Sequence, residues 1–340
     1  MSAVPQTEPK AELRPSAPTR QRLALFDFAR LVAIYSIVWL HTLRSPTLIS
    51  WTVLGRFAVP FFAAGASFFV IESLRRQPNR PLGEYALGRV RRIYLPFLAW
   101  SGIYLAFKWV KSAVLPDQQN DFPGVSALWT GTFFHLWFMP FVLLATLAVF
   151  LLGREIIKRP RTPWFASASL LAIGLACALF DRPAFAVADP GFTLLVWQAL
   201  PAVCWGTALA IAFPTGETSL LASRSVTACA AIAFLALVAW LAAFGRNTLI
   251  ENLAGILFLI AALAPSAPAW IGRIGQFGSL AYGIYLAHML VIKVLEAVAT
   301  RGGLHVSWPL DVAIFIAAVL GSTLIAWLLS RSPRTRWLAA

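Results

Sequence analysis

One short stretch of the sequence places an acidic, a basic and an imidazole side chain along a single apolar run, at Asp27, Arg30 and His41. Arg30 and His41 are eleven residues apart, and eleven helical steps of about 100° return to within about 20° of the starting direction. The two side chains therefore share a helix face, with Asp27 near it. Their backbones lie roughly 16 Å apart along the axis, about half the apolar thickness of a bilayer. The stretch predicts a helix with a cation near one end and a proton-transfer group near the other.

A group of arginines precedes a later apolar run. Arg89 and Arg92 are one helical turn apart, so together they could bind a phosphate or a pyrophosphate. The same residues also fit an ordinary basic anchor that contacts lipid headgroups. Both interpretations stay open at this point.

Two further segments carry polar residues at depths where they could meet His41. His135 stands at the start of another apolar run, at roughly the expected depth of His41, and two imidazoles at one level could share a proton transfer. A late run carries four polar residues at i, i+3 spacing, namely Ser279, Tyr282, Tyr285 and His288. Hydrogen bonding between helices would explain that stripe equally well.

The composition is that of a protein embedded in a lipid bilayer. Of the 340 residues, 59% are hydrophobic and 12% are charged, and apolar runs of membrane-spanning length recur. This excludes a soluble enzyme. The net charge of +14 comes mostly from Lys and Arg in short loops, which indicates the positive-inside rule and no nucleic-acid partner. The three cysteines lie inside apolar runs, so no metal or redox site is expected.

The apolar runs predict an all-α fold, a polytopic transmembrane helical bundle of about ten spans with both termini cytoplasmic. With the amino terminus inside, nineteen of the 28 Lys and Arg residues fall in cytoplasmic segments, which puts Arg30 on the inner side and His41 on the outer side. Residues 1–22 are expected to form a disordered cytoplasmic tail, 23–330 the membrane domain and 331–340 a short cytoplasmic tail. The longest connection, 113–131, is expected outside the membrane. The predicted spans are 23–43, 52–73, 92–112, 132–152, 164–181, 191–212, 223–244, 248–264, 278–297 and 309–330.

In combination these segments resemble the acyltransferase-3 family of integral membrane O-acyltransferases. The resemblance extends from residue 22 to about 330. The second span departs from the family pattern, because Ala64 stands where the family has a serine. The motifs that carry the resemblance are Asp27, Arg30 and His41, the pair Arg89 and Arg92, His135-Leu136-Trp137-Phe138, and the segment from Ser279 to His288.

The resemblance implies transfer of an acyl group, most often acetyl, from cytoplasmic acyl-CoA to a hydroxyl on a sugar or another cell-envelope acceptor. It implies that His41 is the catalytic histidine. The catalytic group further includes Asp27, Arg30, His135 and His288. His135 or His288 would orient His41 or stabilise the oxyanion. It also implies that arginines bind the CoA phosphates. The residues expected to bind the donor are Arg30, Arg89, Arg92, Tyr282 and Tyr285.

Two other classes of function fit the same sequence. A transporter or flippase of a sugar-containing or lipid-linked substrate would also line its pathway with charges. A noncatalytic membrane subunit would not need His41. For the enzyme, the expected setting is the cytoplasmic membrane of a bacterium, with an exopolysaccharide or envelope sugar as acceptor. The sequence leaves the acyl group, the acceptor and formation of a homo-oligomer open.

Overall fold

The structure is a computed structural model, which describes residues 23–114, 122, 124–159, 163–180, 191–215, 219–264 and 266–339. Regular structure in these ranges is entirely helical. The predicted disordered tail, residues 1–22, lies outside them. The helices are α1 (Ala24–Thr42), α2 (Ala58–Arg76), α3 (Leu82–Arg89), α4 (Leu95–Val114), α5 (Ala127–Thr130), α6 (Phe138–Ile157), α7 (Pro163–Leu179), α8 (Phe192–Ala212), α9 (Arg224–Phe244), α10 (Thr248–Ala262), α11 (Ala269–Gly275), α12 (Ala281–Arg301) and α13 (Trp308–Arg331).

Within these ranges, eight helical stretches are long and apolar enough to cross a membrane. Each predicted span coincides with a helix, which confirms the polytopic all-α fold. The predicted spans 164–181 and 248–264 correspond to the shorter helices α7 and α10. At 15 residues α10 is about 22 Å long, less than the apolar thickness of a bilayer. The eight stretches are Ala24–Thr42, Ile49–Arg76, Leu82–Val114, Phe134–Ile157, Phe192–Ala212, Arg224–Phe244, Ala269–Arg301 and Trp308–Arg331.

Helix α2 lies in the centre of the bundle, where it packs against α1, α6, α8 and α10. Gly206 of α8 sits so close to the backbone of Ala64 that a Cβ atom there would overlap the Ala64 carbonyl group. Ala64 itself is fully buried. The position where the family has a serine therefore belongs to a tight helix contact, and small residues on both sides allow the approach.

The last described residues pack against the bundle. The indole nitrogen of Trp100 in α4 donates a hydrogen bond to the carbonyl of Leu338, 3.0 Å away. Ala339 is 1% exposed and lies against Gly283 of α12. The segment predicted as a cytoplasmic tail, 331–340, is thus attached to α4 and α12 through its described part. Its cytoplasmic location stays a prediction.

Candidate active site

The end of α1 is fixed by a buried carboxylate. Asp311, 2% exposed at the start of α13, accepts hydrogen bonds from the backbone N–H groups of Arg44 and Ser45 at 2.9 and 2.7 Å. Trp39 donates to the carbonyl of Trp51 at 3.0 Å. Both contacts hold the chain where it leaves α1, so they position His41 in the last helical turn.

Three histidines from distant parts of the chain meet at this point, and we call His41, His135 and His288 the histidine cluster. The rings of His41 and His288 are stacked, with centroids 5.5 Å apart and planes inclined by 27°. The rings of His135 and His288 meet edge to face at 5.0 Å. His135 and His288 are buried, at 2% and 0% exposure, whereas His41 is partly exposed. Of the four histidines in the chain, only His305 lies in an exposed segment away from this cluster.

The hydrogen bonds of the cluster leave nitrogen atoms available for chemistry. The Nδ1 atom of His288 lies 2.6 Å from the carbonyl of Tyr285. A carbonyl only accepts, so Nδ1 carries the proton and Nε2 of the neutral ring has the lone pair. Among the described residues, this Nε2 and both ring nitrogens of His135 are buried without a hydrogen-bond partner. Unpaired buried polar atoms are rare in folded proteins, and here they surround the histidine predicted to be catalytic.

Two tyrosines hold His135 in place. The hydroxyl of Tyr285 donates to the backbone carbonyl of His135. The hydroxyl of Tyr104 donates to the carbonyl of Leu286 at 2.8 Å and accepts from the N–H of Leu290 at 3.1 Å, and its ring lies against that of His135. The contacts join α4, α12 and the segment before α6 into one framework around the cluster.

The segment leading to His135 follows a path that the sequence did not predict. The ring of Phe122 contacts Trp109 near the end of α4, and the Thr132 hydroxyl donates to the carbonyl of Ser101 at 2.6 Å. Tyr94, next to α4's first residue, donates to the carbonyl of Leu128 at 3.0 Å. The described part of 113–131, expected outside the membrane, therefore runs back along α4 before the chain enters α6.

A cavity of ≈ 290 Å³ adjoins the histidine cluster. His41, His135 and Tyr285 line it, whereas His288 lies behind His41 and does not. The cavity brings an imidazole into contact with a space that could hold a small molecule. The other lining residues are Ile37, Leu40, Arg56, Val59, Pro60, Phe134, Trp137, Phe138, Leu195, Gln198, Ala199, Arg246, Glu251 and Asn252.

The far side of this cavity is charged, and we call Arg56, Arg246, Glu251 and Asn252 the polar cluster. Arg246 donates through Nε to Oε1 of Glu251 at 3.2 Å, and Nε of Arg56 lies 4.0 Å from the same oxygen. Asn252 donates to the carbonyls of Gln198 and Thr248 at 3.0 and 2.9 Å. No motif in the sequence indicated this cluster as a site. Its signal was the presence of Glu251 and Asn252 at the start of an apolar run.

Local backbone features bring the polar cluster together. Gly245 ends α9 with a φ of 86°, which favours glycine, and turns the chain toward Arg246. The side chain of Asn247 then accepts from the N–H of Ile250 at 3.1 Å and caps α10. On the other side, Gly55 packs directly on the α1 backbone at Ser36, where a Cβ would overlap. This close approach holds Arg56 beside the cavity.

The other end of α1 is built differently. Arg30 pairs with Asp27 within the same helix at 3.4 Å. Arg89 donates to the hydroxyl of Tyr85 at 3.0 Å and is half-buried, whereas Arg92 is exposed. Residues Val90–Tyr94 form a π-helical turn, so the expected one-turn spacing between the two arginines is altered.

The polar stripe of α12 links the two ends. Tyr282 donates to the carbonyl of Ile93, between Arg92 and α4, at 3.3 Å. Tyr285 and His288 lie in the histidine cluster. The structure thus brings His41, His135, Tyr285 and His288 together, and it puts Tyr282 beside the arginine segment. Asp27 lies about four helical turns and Arg30 about three helical turns before His41 along α1.

A bundle of apolar helices of membrane-spanning length, with three histidines clustered beside a cavity, is typical of an integral membrane protein with an internal site. Residues 23–331 match the model of a family described as an acyltransferase domain. The protein therefore belongs to the acyltransferase-3 family, which confirms the resemblance drawn from the motifs. No curated protein and no solved structure gives a significant match.

Proposed function

We propose that the protein is a membrane O-acyltransferase of the bacterial cytoplasmic membrane. It moves an acyl group, acetyl in the simplest case, from cytoplasmic acyl-CoA to a hydroxyl of a cell-envelope or exopolysaccharide sugar. One observation carries the proposal: His41, on the same helix as Arg30, lines a cavity that His135 also lines, and both rings contact the ring of His288. Family membership supports the acyl transfer itself.

His41 is the proposed general base. Of the three clustered histidines, it is the one that is both partly exposed and in contact with the cavity. In the proposed reaction its ring takes the proton of the acceptor hydroxyl while the hydroxyl oxygen attacks the thioester carbonyl. The carbon–sulfur bond then breaks, and the departing thiolate of CoA takes the proton back from the imidazolium. An ester and free CoA result, and no further reactant is needed.

The other two histidines have different proposed roles. His135 lines the cavity with both ring nitrogens unpaired among the described residues, so it is placed to donate to the oxyanion or to the acceptor. His288 is enclosed and stacks on His41, with Nδ1 held by the Tyr285 carbonyl. His288 therefore acts as a positioning residue for the His41 ring, because it makes no contact with the cavity.

The donor is proposed to enter from the arginine end. Arg30, Arg89 and Arg92 would hold the CoA phosphates, and the acyl-bearing arm would pass along Tyr282 and Tyr285. Tyr282 and His288 are six positions apart in α12, a rise of about 9 Å. The polar stripe therefore covers much of the roughly 16 Å between the levels of Arg30 and His41.

The test uses the purified full chain reconstituted in lipid vesicles. Acetyl-CoA with a labelled acetyl group is added on one side, sugar acceptors on the other, and mass spectrometry detects labelled ester on the sugar. We expect ester formation that depends on the protein. Acceptor crossing without acyl-CoA, in the absence of any ester, would instead establish the transporter and overturn the enzyme.

A further inference from the structure

Asn252 in the polar cluster has an acceptor atom that lacks a donor. The residue is 1% exposed, and both hydrogens of its amide are used, on the carbonyls of Gln198 and Thr248. Its Oδ1 atom is buried and has no partner in the described part of the chain. A buried acceptor without a donor is unfavourable, and a ligand hydroxyl in the adjoining cavity would satisfy it.

The charges of the polar cluster do not cancel. Glu251 is the one carboxylate among the described lining residues, and it pairs closely with Arg246. Arg56 lies 4.0 Å from the same oxygen, beyond hydrogen-bond distance, and its buried Nε has no hydrogen-bond partner among these residues. Two guanidinium groups and one carboxylate leave one positive charge beside the cavity. Such a site favours an anion.

A shared cavity connects this cluster to the histidine cluster. His41 and Arg56 line the same space, so one molecule can contact both. A volume of ≈ 290 Å³ is just below the usual range for small-molecule sites, about 300–1,000 Å³. It suits a single sugar ring, free or at the end of a longer chain.

We propose that this cavity binds the acceptor, and that the acceptor is a hydroxyl-bearing molecule with one acidic group, a carboxylate or a phosphate. Arg56 binds the acidic group, and one hydroxyl donates to Oδ1 of Asn252. A second hydroxyl then faces His41 and receives the acyl group. The inference rests on the proposed acyltransferase function and adds the chemical class of its acceptor.

The first experiment measures binding to the purified full chain in lipid nanodiscs, without acyl-CoA. Glucose, glucuronate and glucose 6-phosphate are compared by isothermal titration calorimetry, because they share a ring and differ in the acidic group. We expect at least one acidic sugar to bind about tenfold or more tightly than glucose. The better of the two identifies the acid as carboxylate or phosphate. Equal affinity for all three would overturn the inference.

The second experiment changes the charge at Arg56. Arg56→Gln is expected to reduce the affinity for the acidic sugar about tenfold and to leave that for glucose unchanged, whereas Arg56→Lys retains most of the preference. The matched control is Arg44→Gln, because Arg44 follows the same end of α1 but pairs with Glu296 and does not line the cavity. An unchanged preference in Arg56→Gln would contradict the assignment. If that variant does not fold, the comparison of sugars on the unmodified chain decides.

Transfer measured on the same sugars separates this inference from the function on which it rests. Selective binding of an acidic sugar without ester formation would contradict the acyltransferase function and support the proposed binding site. Ester formation with equal kcat/KM for glucose and both acidic sugars would support the acyltransferase function and contradict the inference that the acceptor is acidic.

Discussion

The two ends of α1 carry the two proposed halves of the site, and they are built in opposite ways. At the His41 end, side chains from α1, α12 and the segment before α6 are in ring contact, and two of the three histidines are buried. At the Arg30 end, the ion pair stays within one helix, and Arg92 is exposed. One end is a packed framework, and the other is a set of cations at the edge of the bundle.

The difference matches the work proposed for each end. Proton transfer needs heavy atoms within about 3 Å in a fixed orientation, and buried, interlocked rings supply that. Holding the phosphates of a soluble donor needs positive charge that water can reach, because the donor must enter and leave. We therefore expect substitutions at the His41 end to reduce kcat and those at the Arg30 end to raise KM for the donor.

The largest effect is expected from His41→Ala. Removal of a general base reduces kcat by about 10²- to 10⁴-fold. His135 also lines the cavity but is buried, so we do not expect it to replace the partly exposed His41. The measurement is acyl transfer by purified protein, with circular dichroism to confirm the helical fold. His305→Ala is the matched control, since His305 is exposed outside the cluster and should not affect kcat. Full activity in His41→Ala would remove the catalytic assignment.

The sequence predicted those features of the two ends of α1 that follow from helical periodicity within a single helix. The first predicted span, 23–43, differs by one residue at each end from α1, and the shared face of Arg30 and His41 follows from helical repeat alone. The stripe ending in His288 was visible for the same reason. The contact between His288 and His41 could not be predicted in this way, because it depends on how α1 and α12 pack.

The polar cluster shows what periodicity cannot reveal. Arg246 and Glu251 are five residues apart at the start of α10, but Arg56 comes from a distant connection, and no spacing in the sequence relates it to them. They meet because Gly55 allows a close approach to α1 and Gly245 turns the chain into α10. The π-helical turn at Val90–Tyr94 was missed as well, since an arginine pair reads the same in either helix type.

At the opposite end, Arg89→Gln tests whether the arginines bind the donor. Loss of one charge-assisted contact to a phosphate should raise KM for acyl-CoA about tenfold with little change in kcat. The difference in KM between the unmodified protein and Arg89→Gln should shrink as the salt concentration rises from 50 to 500 mM, because the charge of Arg89 is partly accessible to water.

The matched control for Arg89 is Arg91→Gln. Arg91 is exposed and two residues away, so the net charge changes equally while Arg89 keeps its contact with Tyr85. Steady-state kinetics at several acyl-CoA concentrations separate KM from kcat. A fall in kcat at constant KM would show that Arg89 acts on the chemical step, which would contradict the division between the two ends.

The smallest effect is expected from Tyr104→Phe, which tests how rigid the His41 end is. The substitution keeps the ring against His135 and removes the hydroxyl that bonds to both Leu286 and Leu290. Interhelical hydrogen bonds in membrane proteins contribute about 0.6 kcal/mol on average, so two such contacts predict a loss of about 1 kcal/mol in the free energy of unfolding. Unfolding by SDS in mixed micelles measures this free energy.

Tyr94→Phe is the control, because the hydroxyl of Tyr94 makes one hydrogen bond, to Leu128, at a more exposed position. If both variants unfold alike, the packed framework around His135 is no more constrained than the opposite end, and the contrast between the two ends would have to be sought in charge alone.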